Sequence, residues 1–187
     1  MSCFFTSDLH INHANIIEHC RRPFAHVDEM NSALLKNWNR VVTPKDSVYV
    51  IGDFALCRHE VANAFARGLN GTKFLVAGNH DFSNRKKYGA GAPANGPFQW
   101  VKDLAEIDVN GQKIVMCHYA LLTWNKSHRG SWMLHGHSHG SLPDDKHARR
   151  IDVGVDCNDF TPLSFEQVSA LMSRKLWKPV DHHVESL

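Results

Sequence analysis

The chain has 187 residues, 43% of them hydrophobic, and 21 Lys and Arg against 19 Asp and Glu leave a formal charge of +2. That length accommodates one domain with one buried core, and the near balance of charge excludes the cationic excess of a protein that coats nucleic acid. Cys3, Cys20, Cys57, Cys117 and Cys157 are scattered and never spaced CxxC, which excludes a disulfide framework and a thiolate zinc site and points to a reducing compartment.

Residues 1–7 have no basic start, and the apolar stretch Cys3 to Phe5 runs directly into Asp8, so the reading is of no signal peptide or membrane span and of a cytoplasmic protein. Cys3 to Thr6 reads as the first buried strand. Ala14 to Cys20 and Asp28 to Val41 follow as helices, the second with Met30, Leu34, Leu35 and Trp38 near one face. Ser47 to Ile51 reads as a strand, His59 to Leu69 as a helix and Lys73 to Ala77 as a strand. Ser83 to Pro97, polar, punctuated by Gly and Pro and holding Arg85-Lys86-Lys87, is expected to be a mobile loop. Asn110-Gly111 between Ile107 to Val109 and Lys113 to Cys117 marks a tight hairpin. Trp132 to His135 and Ile151 to Val155 close the set of strands, and Ser164 to Leu176 is a last helix with Ser164 as N-cap and Gln167 three residues on. Asp181 to Leu187 is expected to be a frayed tail. The pattern predicts a single α/β domain over 1–187, with a parallel βαβ first half and a mostly antiparallel second half.

Chemistry-bearing residues gather at the ends of these strands. In order they are Asp8-x-His10, Gly52-Asp53, Gly78-Asn79-His80-Asp81, His118, and Gly136-His137-Ser138-His139. An open α/β sheet builds its sites where strands end. In an extended segment residues i and i+2 share a face, so Asp8 and His10 can reach one ion together, as can His137 and His139. Seven oxygen and imidazole ligands suffice to hold two divalent ions around a shared carboxylate, a device that hydrolyses phosphate esters. Without thiolates the donor set suits Mn²⁺, Fe, Zn²⁺ or Ni²⁺ better than an all-oxygen Mg²⁺ or Ca²⁺ cage, and Mn²⁺ is expected to serve in vitro.

This succession of motifs resembles the calcineurin-like metallophosphoesterases, specifically the small stand-alone bacterial and phage members, over roughly Phe5 to Gly140. The resemblance implies a four-layer α/β/β/α sandwich with mixed sheets and the site at the C-terminal ends of the strands. It implies that Asp8, His10 and His139 hold one metal ion, that Asn79, His118 and His137 hold the other, and that Asp53 bridges them. A hydroxide between the two ions would then attack phosphorus in line. His80 is the candidate general acid for the leaving alkoxide, oriented by Asp81. Asn79, His80 and Arg129, the last in the segment between His118 and His137, are candidate substrate contacts.

The expected substrate is a small phosphorylated molecule, a nucleotide among the candidates, and the oligomeric state is not legible. A nuclease or nucleic-acid end-processing phosphodiesterase is the alternative, resting on Arg85-Lys86-Lys87 and Arg129. A non-catalytic metal-binding scaffold is a third reading that would require degraded ligands. His13, His19, His26, His59, His128 and His147 read as ordinary surface or half-buried residues.

Overall fold

The computed structural model describes residues 1–88 and 96–178. The expected tail and residues 89–95 of the expected loop lie outside the described residues. Four strands run parallel in the first sheet: β1 (Cys3–Thr6), β2 (Ser47–Ile51), β3 (Thr72–Val76) and β4 (Phe98–Lys102). The second sheet holds β5 (Leu104–Val109), β6 (Gln112–Cys117), β7 (Trp132–His135) and β8 (Arg150–Asp152), in that order. A short β9 (Leu163–Ser164) pairs antiparallel with β1 and completes the first sheet as β4-β3-β2-β1-β9.

Side-chain alternation sets the layers. Phe4, Val48, Val50 and Leu75 point to one face of the first sheet, where they pack with helices α2 (Val27–Val41) and α3 (His59–Gly68) through Met30, Leu34, Trp38, Ala62 and Ala66. Phe5, Ile51 and Val76 point the other way and join Ile114, Met116 and Leu134 of the second sheet. Strands buried on both faces read as continuous apolar runs, which is why SVYVI and KIVMC are visible as strands without strict alternation. Val115 and Met133 face away from that interface and are also buried, so the outer face of the second sheet is covered as well.

The helices fall close to the residues their patterns predict. α1 covers Asn15–His19, and α2 starts where the His26 ring accepts the Glu29 N–H. α5 (Phe165–Ser173) begins with the expected capping box between Ser164 and Gln167. The segment expected as a loop contains a helical turn, α4 (Arg85–Tyr88), anchored by Tyr88 buried against Phe54 and Phe98. It leads into β4, a strand that the Gly- and Pro-rich run had masked.

The second half corrects the antiparallel expectation. Asn110-Gly111 makes β5 and β6 an antiparallel hairpin, but β6–β7 and β7–β8 are parallel. The stretches 118–131 and 136–149 are long enough to return to the starting edge, whereas a tight turn is not. The parallel order brings the C-terminal ends of β6 and β7 to the same edge as those of β1, β2 and β3.

Candidate metal centre

The chain leaves each of these strand ends by an abrupt turn. Asp8, His10, Asp53, His137 and His139 all have φ between +46° and +68°, a region that L-residues with a Cβ occupy at a cost of about 1–3 kcal/mol each and that clusters at functional sites. Asp8 and His10 are therefore brought together by two left-handed residues rather than by the extended i, i+2 geometry the sequence suggested. Two glycines make the crowding tolerable. A Cβ on Gly78 would fall on the Asp53 carboxylate, and one on Gly136 would fall on Ser7 Oγ and Asp8 Oδ2.

The expected ligand atoms converge as two neighbouring groups. One atom from each of Asp8, His10 and His139 lies within 4.8 Å of the others, and the same holds for Asp53, His118 and His137. Asp53 Oδ2 joins them, 3.5 Å from His10 Nε2 and 3.4 Å from His118 Nε2. Asn79 Oδ1 lies 3.2 Å from His118 Nε2, inside the second group. His139 Nε2 is 3.8 Å and His10 Nε2 4.0 Å from Asp8 Oδ1. Ligands about 2.1 Å from a common ion lie about 3 Å apart when adjacent and about 4 Å apart when opposite, so these separations suit coordination shells. His10 Nε2 is buried without a hydrogen-bond partner, a costly state for a polar atom unless an ion takes its lone pair. The residues present thus fit divalent metal.

The rings are oriented from behind. His118 Nδ1 lies 2.9 Å from the Ile51 carbonyl and His139 Nδ1 2.7 Å from Asp156 Oδ2, which leaves Nε2 of each ring for the site. Asp156 is itself clamped by Arg22 through two 2.8 Å bonds, and the same guanidinium donates to the carbonyls of Asp8 at 2.7 Å and Leu9 at 3.1 Å. Both Asp8 oxygens accept the His137 N–H, and Asp53 Oδ1 accepts the His80 N–H at 2.9 Å. Arg22, Asp156 and His13 belong to the centre although no local motif marked them. Their partners are far away in sequence or, for His13, hidden in a helix-like spacing.

Electrostatics follow the same geometry. Burial raises Asp8 to about 6 and depresses His10 to about 3, so His10 is a neutral imidazole. Burial also pushes Asp53 upward, but the His118 hydrogen bond and charge and the His80 N–H prevail and hold it at about 2. For His118 burial works downward, and the facing Asp53 carboxylate overcomes it and lifts the ring to about 9.

Two expected roles are corrected. Asp81 does not orient the His80 ring: its buried carboxylate accepts the backbone N–H groups of Asp53 at 2.7 Å, Gly78 at 2.9 Å and Phe54 at 3.0 Å, tying the end of β2 to the end of β3. Burial raises its pKa to about 6. Arg129 does not reach the centre. Because β6 and β7 are parallel, the chain has returned to the opposite edge by Arg129, where it lines a recess with Asp108, Gly111 and Gln112 of the β5–β6 turn. His80 is at the centre, half-exposed, with its ring centroid 5.1 Å from that of His10.

Replacing Asp156 with Asn should weaken metal affinity about 10- to 100-fold by releasing the His139 ring. Metal content measured by mass spectrometry after dialysis against graded free Mn²⁺ checks this, and an unchanged loading curve would show that Asp156 does not orient a ligand.

The calcineurin-like phosphoesterase profile matches residues 1–157. Uncharacterized protein MJ1445 of Methanocaldococcus jannaschii is 33% identical over 178 residues, which cover 91% of this chain and 91% of that protein. Gene 66 protein of Mycobacterium phage L5 is 28% identical over 178 residues, 82% of this chain and 86% of its own length. The crystal structure of AQ665, a protein of unknown function from Aquifex aeolicus, covers 91% of this chain and 98% of its own, with a TM-score of 0.68 at 24% identity, and shares the fold. With the profile spanning β1 to β8 and every turn that carries an expected ligand, the chain belongs to the calcineurin-like phosphoesterase family.

Proposed function

We propose that this protein hydrolyses phosphate esters of a small phosphorylated substrate, a nucleotide among the candidates, using two divalent metal ions held by Asp8, His10, Asp53, Asn79, His118, His137 and His139. The observation that carries the reading is the position of one carboxylate oxygen, Asp53 Oδ2, between His10 Nε2 and His118 Nε2 at 3.5 and 3.4 Å. Bound there, divalent ions would lower the pKa of a coordinated water and neutralise charge on the phosphoryl oxygens. Mn²⁺ is the ion we expect to support activity in vitro, since imidazole, carboxylate and carboxamide donors suit it.

The protein's own groups supply the rest. His80 holds Asp53 Oδ1 with its backbone N–H, and its half-exposed ring is free to give a proton to the departing oxygen. Asn79 is exposed at the mouth beside His118. Arg22 is committed to Asp156 and two carbonyls and cannot reach substrate. With Arg129 on the other edge, the case for a nucleic-acid groove is reduced to the run Arg85-Lys86-Lys87, in which Lys86 and Lys87 are exposed on α4. No described helix is long and apolar enough to cross a membrane, and a cytoplasmic setting fits the free cysteines.

Protein reconstituted with Mn²⁺ should hold two equivalents and hydrolyse bis-p-nitrophenyl or p-nitrophenyl phosphate, the ratio of the two reporting diester against monoester preference. Asp53→Asn should lose at least about 100-fold in activity together with metal, and full activity in that variant would remove the proposal. An intact labelled single-stranded oligonucleotide under the same conditions would set the nuclease reading aside. His80→Asn should slow esters with poor leaving groups about 10²- to 10⁴-fold and p-nitrophenyl esters much less. Equal losses on both would take His80 out of the acid role.

Loading should also depend on pH in a defined direction. His118, raised to about 9, carries a proton at neutral pH that must leave before Nε2 can bind metal, and Asp8, raised to about 6, takes up a proton below that value. Metal affinity should therefore climb from pH 5 towards pH 9, with net proton release at pH 7.5. Calorimetry of Mn²⁺ binding in buffers of different ionisation enthalpy measures the release, and binding without it would show that His118 is not a ligand.

A further inference from the structure

His13 looks ordinary in the sequence, yet the turn after β1 carries it into the metal centre. His10 and Asn12 are both left-handed, at φ 53° and 60°, and the His13 N–H donates to the His10 carbonyl at 3.0 Å. The chain folds back on itself, placing the His13 ring centroid 5.1 Å from that of His10 and 5.6 Å from that of His80. His13 Nδ1 lies 3.1 Å from His10 Nδ1. Two nitrogens at that distance share one proton, and only one ring donates it.

The metal-ligand geometry decides which. His10 Nε2 faces Asp53 Oδ2 and must be unprotonated to hold an ion, so the proton of the neutral His10 ring is on Nδ1 and is donated to His13. His13 Nδ1 is then the acceptor, and a neutral His13 carries its own proton on Nε2. Among the described residues nothing accepts from that Nε2–H. A half-exposed donor therefore stands beside His80 at a site that must meet phosphoryl oxygens. The need is real, because the nearby guanidinium of Arg22 is spent inward and Arg129 is on the far edge. Preorganised N–H donors aimed at developing charge are the largest single contribution in such reactions.

We propose that His13 is a substrate-contacting residue: locked by His10, it presents Nε2–H to a non-bridging oxygen of the substrate phosphoryl group, next to the leaving-group side served by His80. The assignment rests on the phosphoesterase reading above, and it names which part of the substrate the centre grips outside the metals.

Two substitutions separate gripping substrate from merely propping His10. In His13→Asn the amide oxygen takes the place of Nδ1 as acceptor for His10 while the outer donor is lost, whereas His13→Ala removes both. Each variant and the parent are reconstituted with Mn²⁺ and compared by metal content, thermal melting, binding of inorganic phosphate by calorimetry, and turnover of bis-p-nitrophenyl phosphate. We expect His13→Asn to keep the parent's metal content and melting temperature, to bind phosphate about 10-fold more weakly and to lose about 10²-fold in kcat. His13→Ala should in addition load metal about 10-fold less tightly. If His13→Asn binds phosphate and turns over like the parent, or loses activity only in proportion to lost metal, the substrate contact is overturned and His13 is a prop for His10. A parent that neither loads metal nor binds phosphate would remove the phosphoesterase reading and this assignment with it.

Discussion

One carboxylate organises the centre of this protein. Asp53 stands at the end of β2 with Oδ1 fixed by the His80 N–H and Oδ2 exposed to two imidazoles that approach from different sheets. Buried charge of this kind is costly unless it is matched, and the structure matches it with His118, whose Nε2 lies 3.4 Å from Oδ2. The same pairing explains why Asp53 is held at about 2 while His118 is lifted to about 9. Everything around the pair serves to keep it in register. Asp81 gathers three backbone N–H groups from the turns after β2 and β3, Gly78 leaves room for the carboxylate, and the Ile51 carbonyl fixes the orientation of the His118 ring.

The two sheets divide the labour. The first brings Asp8, His10, Asp53 and Asn79 on the ends of parallel strands, and the second brings His118, His137 and His139 to the same edge. The apolar interface between them, with Phe5, Ile51 and Val76 against Ile114, Met116 and Leu134, therefore determines the spacing of these side chains as well as stability. Packing of this density resists adjustment, which is how a close-packed interior can hold charged groups to fractions of an ångström.

Backbone strain is concentrated where these side chains meet. Asp8, His10, Asp53, His137 and His139 all adopt left-handed conformations that cost free energy without a Cβ-free residue to relieve them. The cost is offset by a dense set of hydrogen bonds, notably Arg22 to the Asp8 and Leu9 carbonyls and the His137 N–H to Asp8. The turns also aim side chains that a regular strand would have sent to opposite faces. The carboxylates and rings at this edge are therefore held in place by the fold itself.

The sequence by itself determined the class of fold and pointed to the side chains that meet at the strand ends. Carboxylates, an asparagine and histidines placed beside glycines at the ends of short apolar runs have a local signature, and periodicity separates strands from helices. What it left undecided were relations between distant segments. Asp156 and Arg22 are 134 residues apart and read singly as unremarkable charges. His13 acquires a partner only because two left-handed residues fold the chain back onto His10. Arg129 lies between two ligands in sequence, yet the parallel pairing of β6 and β7 carries it to the opposite edge. Strand direction and buried hydrogen-bond partners depend on the global packing of two sheets, and no window of neighbouring residues contains that information.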